Sequence, residues 1–165
     1  MSQTKNHQSL LKLIAFILQE TAKQTTLVSP NCETVLSRFH SLLPPKISIY
    51  DFICVIDKII NHEDAIWIIT IILFDRFVKM NSSFAITPNI IHKLLICAVI
   101  TATKFETDGS LTNAAWSKLC GICIDELNIL EREFLFMLEF SIVITKEEYN
   151  QYNDQISQKA SFFVS

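Results

Sequence analysis

Apolar residues recur along this chain at helical spacing from one end to the other. Leu10, Leu11, Ile14, Ile17 and Leu18 share one side of residues 9 to 24, which predicts a first amphipathic helix. A polar connection from Gln24 to Glu33, interrupted by Pro30, leads to a short helix over residues 33 to 42 with Val35, Leu36 and Phe39. Pro44-Pro45 breaks the chain. Ser48 then caps a helix from Ile49 to about Ile60, striped by Phe52, Ile53, Ile56 and Ile59 or Ile60. Glu63 to about Val78 forms the next helix, rich in isoleucine. Thr87 followed by Pro88 reads as an N-cap with proline in the first helical position, opening a helix to about Phe105. That segment is apolar nearly all round, so it is the candidate central helix, buried on most sides. "ETDGSLTN" is a loop, followed by a short helix from about Asn113 to Leu119 and a turn at Cys120-Gly121. Residues 125 to 139 carry Leu127, Leu130, Phe134, Leu135 and Leu138 on one face. Thr145 to Glu148 forms a capping box for a last helix, with a frayed tail from Ser157.

The expected fold class is therefore all-α: a five-helix core around one buried helix, with a further helix at each end. Composition agrees. Half of the 165 residues are apolar, and two glycines with four prolines are too few for the turns of an all-β domain. The longest apolar runs, "AIWIITIILF" and "KLLICAVITATKF", fall short of the ~18 residues a membrane span needs. The N-terminal stretch has Lys5 and Lys12 and then apolar residues, but no small-residue cleavage site, and reads as a helix rather than a signal peptide. A formal charge of −3 argues against a broad nucleic-acid footprint.

Catalytic chemistry finds little support. There is no Gly-rich phosphate loop, HExxH or GxSxG. His7, His40, His62 and His92 are scattered along the chain, and Glu131 and Glu133 face different ways on a helix. Five cysteines without framework spacing fit a reducing compartment. Cys120-Gly-Ile-Cys123 has no second ligand pair for zinc and reads as an ordinary helix-turn position. The expectation is no enzyme, no catalytic residue, no cofactor, no metal and no small-molecule substrate.

Three stretches in order, "PPKISIYDFICVIDKI", "ILFDRFVKMNSSFAITPNIIHKLLICAVITATKFETD" and "LTNAAWSKLCGICIDELNILEREFLFMLEF", resemble a cyclin box. More narrowly they resemble the P-type (U-type) cyclins, small cyclins with one box and short flanking helices. The resemblance divides the chain into residues 1–34, an N-terminal helix and connection; 35–142, the box; and 143–165, a C-terminal helix and tail. It implies a regulatory subunit that binds a cyclin-dependent protein kinase and activates it by positioning its C-helix, inside the cell in nucleus or cytoplasm, with neither nucleic acid nor membrane as partner. The alternative is a cyclin-box scaffold or helical interaction module without a kinase.

The resemblance also implies a site. In the family a lysine ending the third helix of the box and a glutamate in the fifth form a conjoined pair at the kinase, and Lys104 and Glu131 match those positions. Phe105 and Phe140 match contact aromatics. Leu135, one turn beyond Glu131, and Thr101, one turn before Lys104, complete the expected partner-binding set. Asp75 in "FDRF" matches the family's buried aspartate, whose usual arginine partner is replaced by Lys46, leaving Arg76 or a helix N-terminus to serve it. Asp51-Phe52 lacks the pattern preceding the substrate-docking patch of cell-cycle cyclins, so docking of Arg-x-Leu substrates is not expected.

Overall fold

The computed structural model describes residues 2–28, 38–43 and 45–163, with side chains from residue 6 and none over 25–28. Among them are seven α-helices and no strand: α1 (Ser2–Val28), α2 (Ile49–Ile59), α3 (Asp64–Met80), α4 (Ile91–Glu106), α5 (Asn113–Cys120), α6 (Ile124–Met137) and α7 (Lys146–Ala160), followed by a 3₁₀ turn at Ser161–Phe163. None is long and apolar enough to cross a membrane. Most of the short helix expected over residues 33 to 42 lies outside the described residues. Its Phe39 is described, fully buried and edge-on to Phe77.

The central helix is α4. Its residues from Leu94 to Ile100 are all without solvent exposure, because every side of the helix meets a neighbour. It packs chiefly on α3 and α6, while α1 lies on α2 and α7. Each large aliphatic side chain so buried contributes about 1.5–3 kcal/mol. Phe77 of α3 stacks on Phe134 of α6 with ring centres 5.4 Å apart, closing the far side of the core.

The helix ends follow local chemistry. Ser48 accepts from Asp51 N at 3.1 Å and Thr112 from Ala115 N at 3.3 Å, each filling an orphan donor of the first turn. Gly121 ends α5 at φ 66°, a left-handed conformation that a Cβ disfavours. At α7 only half of the expected capping box forms. Thr145 accepts from Glu148 N at 3.2 Å, but the Glu148 carboxylate instead takes Arg76 of α3 at 2.5 Å, while Arg76 also donates to Ser141 O at 2.7 Å. The cap has become a tie between helices.

Three expectations need correction. The central helix starts at Ile91 rather than Pro88, because Thr87 O accepts from both Ile90 N and Ile91 N, making Thr87–Ile90 a turn before the helix. The tail is not frayed at Ser157: α7 continues to Ala160, held by buried Ile156 and Ala160, and Phe163 beyond it meets Phe16 at 5.7 Å. Asp75 is not buried. Its side chain is 35% exposed, takes a hydrogen bond from the Tyr152 hydroxyl and pairs with Lys79 at 2.7 Å. Arg76 is occupied elsewhere and Lys46 is exposed. The Tyr152 phenol, half-buried beside this carboxylate, is pushed up to about 12.

Candidate functional site

Lys104 closes the last turn of α4, where a cation meets the negative end of the helix. The Thr112 cap fixes the start of α5, setting Asn113 between α4 and α6. On α6, Asn128, Glu131 and Leu135 share one stripe by helical spacing, next to the buried Leu127, Leu130 and Phe134. The end of α4, the start of α5 and the middle of α6 bring these polar groups together. Lys104 Nζ lies 2.5 Å from Glu131 Oε1 and donates to Asn113 Oδ1 at 2.9 Å. Asn113 Nδ2 donates to Glu131 Oε2 at 2.6 Å and to Asn128 Oδ1 at 2.8 Å. Both oxygens of Glu131 are thus engaged, and Asn113 is the third corner of a closed triangle.

Exposure divides this group unevenly. The Lys104 side chain is 39% exposed and that of Glu131 15%. Glu131 is held in place, while Lys104 keeps donor capacity turned to solvent. Exposed apolar side chains lie on the same two helices and just past them. Phe105, the next residue, is 41% exposed. Phe140 is 56% exposed and meets Phe136 edge-on at 5.2 Å. Glu139 and Phe140 both have positive φ, 51° and 56°, and Phe140 N returns to Leu135 O at 2.9 Å. A phenylalanine in the left-handed region is a backbone outlier of the kind that gathers at functional sites.

The structure gathers Lys104, Glu131 and Asn113 by direct contact. It leaves Leu135 half-buried on the Glu131 stripe, and Phe105 and Phe140 exposed. Thr101 is different: it is buried, and its hydroxyl donates to Cys97 O at 2.8 Å, so it lies beneath the surface. Asn113, Asn128 and Phe136 escaped sequence reasoning. The signal for Phe136 was an aromatic two residues off the buried stripe of α6, where a polar residue would ordinarily stand.

A second group was missed altogether. Asp57 lies on the buried face of α2 with its side chain 3% exposed. His7 Nε2 of α1 donates to its Oδ2 at 2.8 Å, His62 Nδ1 to the same oxygen at 2.5 Å, and Trp67 Nε1 of α3 to Oδ1 at 2.8 Å. His7 Nδ1 also meets Asp64. Burial raises the Asp57 carboxyl, but the hydrogen bonds from His7, Trp67 and His62 outweigh it and hold the group below the usual carboxylate range. Burial likewise pulls His7 down, and its two carboxylates carry it above the ordinary histidine value. One acid within the apolar stripe of Ile49, Ile53, Ile56 and Ile60 was the available signal.

A family model for cyclins matches residues 8–142. Cyclin-U4-1 of Arabidopsis thaliana is 34% identical over 158 residues, covering 92% of this chain and 78% of that protein. Cyclin-P4-1 of Oryza sativa subsp. japonica is 32% identical over 71% of this chain and 55% of its own length. PHO85 cyclin PHO80 of Saccharomyces cerevisiae is 30% identical over 80% of this chain and 44% of its own length. The chain thus spans about half the length of the latter two. Cyclins as a family are regulatory subunits, not enzymes. With an all-α box, a central helix buried on every side, and a match that runs from α1 to the end of α6, the chain belongs to the cyclin family, in its P- and U-type branch.

Proposed function

We propose that this cyclin is the regulatory subunit of a cyclin-dependent protein kinase, and that it grips the kinase C-helix with the surface formed by the end of α4, the start of α5 and the outer stripe of α6. The observation that carries the reading is the Lys104–Glu131–Asn113 triangle, half open to solvent, on helices that also carry exposed Phe105 and Phe136 and lead into exposed Phe140. A charge at an apolar interface is costly unless paired. Here the pair exists before any partner arrives, and Lys104 has one donor left for a main-chain carbonyl. Phe105, Phe140 and Leu135 are the apolar anchors, with Thr101 supporting them from below.

The cyclin performs no chemistry in this reading. A kinase is active when its C-helix brings a glutamate to the catalytic lysine. A surface that binds the inward position of that helix better than the outward one shifts the balance by that difference in affinity. Moving from mostly inactive to mostly active takes about 5.5 kcal/mol. An interface of ordinary size with a few well-placed anchors supplies that much. The chain then acts where its kinase is, in nucleus or cytoplasm, as residues 35–142 folded into a box with α1 and α7 as flanking supports.

The test is to purify the tagged chain from its own cells, identify the kinase that accompanies it, and measure peptide phosphorylation by that kinase with and without the purified chain. A stoichiometric kinase stimulated by the chain is expected. Recovery of no kinase, or of one whose rate does not change, contradicts the proposal.

A further inference from the structure

We propose that His7 Nε2, Asp57 Oδ2 and His62 Nδ1 form a binding site for one divalent transition-metal ion, zinc in particular, that staples α1 to the turn between α2 and α3. The inference is independent of the kinase reading and uses none of its residues.

Three observations carry it. First, the three atoms converge from separate parts of the fold and all lie within 4.8 Å of one another. Two imidazoles and one carboxylate, with a fourth position left for water, make a donor set zinc commonly uses. Second, the groups behind the ligands are in place. His7 turns its other nitrogen to Asp64, the carboxylate–histidine arrangement that fixes ring orientation and raises basicity at a metal. Asp57 has its other oxygen held by Trp67, so that Oδ2 is the oxygen on which both histidines converge and where an ion would take the place of their protons. Third, the backbone is bent to deliver the third ligand. Asn61 and His62 both stand at positive φ, 58° and 60°, and His62 N donates to Asp57 O at 2.9 Å, so the turn brings the His62 ring back over α2.

The charge and geometry agree with a dication. Asp57 and Asp64 together balance two positive charges, and the histidines bind in their neutral form after giving up protons. Zinc bonds of about 2.0–2.1 Å hold ligand atoms roughly 3.3 Å apart. The present nitrogen–oxygen separations of 2.8 and 2.5 Å therefore widen by roughly 0.5–0.8 Å when an ion replaces the bridging protons. His62, on an exposed turn with its side chain 58% exposed, provides that movement. The expectation of no metal rests on motifs contiguous in sequence, whereas this set is drawn from α1, α2 and the turn after α2.

The experiment is calorimetric titration of ZnCl₂ into the full chain, reduced and stripped with chelator, with thermal unfolding and cobalt(II) absorption alongside. One ion per chain is expected, with a melting midpoint that rises with zinc concentration. His62→Gln, at an exposed position that leaves the core intact, should lose the binding. Asp64→Asn should weaken it about 10–100-fold. The Cys120→Ser/Cys123→Ser variant should bind like the parent. Absence of heat and midpoint shift in the parent overturns the proposal. So does unchanged affinity in His62→Gln, or a thiolate-to-cobalt band lost in the cysteine variant.

Discussion

The Lys104–Glu131 surface and the Asp57 cluster are each drawn from three helices, yet they face opposite demands. Around Asp57 every oxygen is filled from within the chain, and the carboxylate is almost wholly out of water. Around Lys104 the acid is satisfied but the cation is half open, and the next residue, Phe105, is exposed. A polar knot closed on itself serves the fold. The open one is the surface proposed to meet a partner. Substitutions should therefore separate the two regions by what they damage.

The largest effect is expected at Asp57→Ala. It takes the shared partner from His7 and His62 and strands the buried Trp67 N–H. Breaking a buried ion pair from one side costs about 3–5 kcal/mol. Urea unfolding should show that loss, while the fraction still folded binds the kinase as before. A variant as stable as the parent would show that the cluster is not holding α1 and α2 together.

Phe140→Ala should do the reverse. The side chain is mostly in water, so the free chain should lose little, while kinase binding weakens by about 2 kcal/mol, the scale of an interface anchor. A loss of stability without a loss of affinity would move Phe140 from the open region to the closed kind.

Tyr152→Phe is smaller. It removes a hydrogen bond to the charged Asp75, worth about 1.5–3 kcal/mol at full burial and less at this half-exposed site. Unfolding should move modestly and binding not at all.

The smallest is a pH effect at His92. Burial pulls its pKa below 6.5, against a weaker opposing hydrogen bond with Ile47 O. The folded chain therefore favours neutral imidazole. This contribution is complete above pH 6.5 and is lost as pH falls from there through the lower folded value. The stability difference between parent and His92→Gln should shrink over that window. A difference flat with pH would dismiss it.

The sequence made the two regions unequally legible, for a physical reason. The central helix was visible because Leu94 to Ile100 is apolar on all sides, and burial on all sides is the only stable place for such a segment. Its first residue was misplaced because Thr87-Pro88 is good chemistry for a cap and equally good for a turn. The C-terminal residues seemed loose because their letters are polar, and only packing of Ile156, Ala160 and Phe163 reveals otherwise. Lys104 and Glu131 are legible only through the cyclin resemblance, since a lysine ending a helix is equally well placed to reach solvent. Asn113, which closes the triangle, has no local mark. His7, Asp57 and His62 lie on different elements, so no single window contains them, and only the fold makes them neighbours.

The central claim is that Lys104 and Glu131 act as one unit at a kinase. It is tested most directly by a double-mutant cycle of kinase affinity on Lys104→Ala, Glu131→Ala and the double variant, with thermal unfolding of each free chain. Each single change should cost about 3–5 kcal/mol of binding, since docking dehydrates whichever charge is left. That is roughly a hundred- to several-thousandfold in affinity. The double variant should lose less than the sum. Melting should fall little for Lys104→Ala and somewhat more for Glu131→Ala, whose carboxylate also holds Asn113. Normal binding and activation by both single variants would contradict the account, and so would variants that unfold the free chain without a separate loss of affinity.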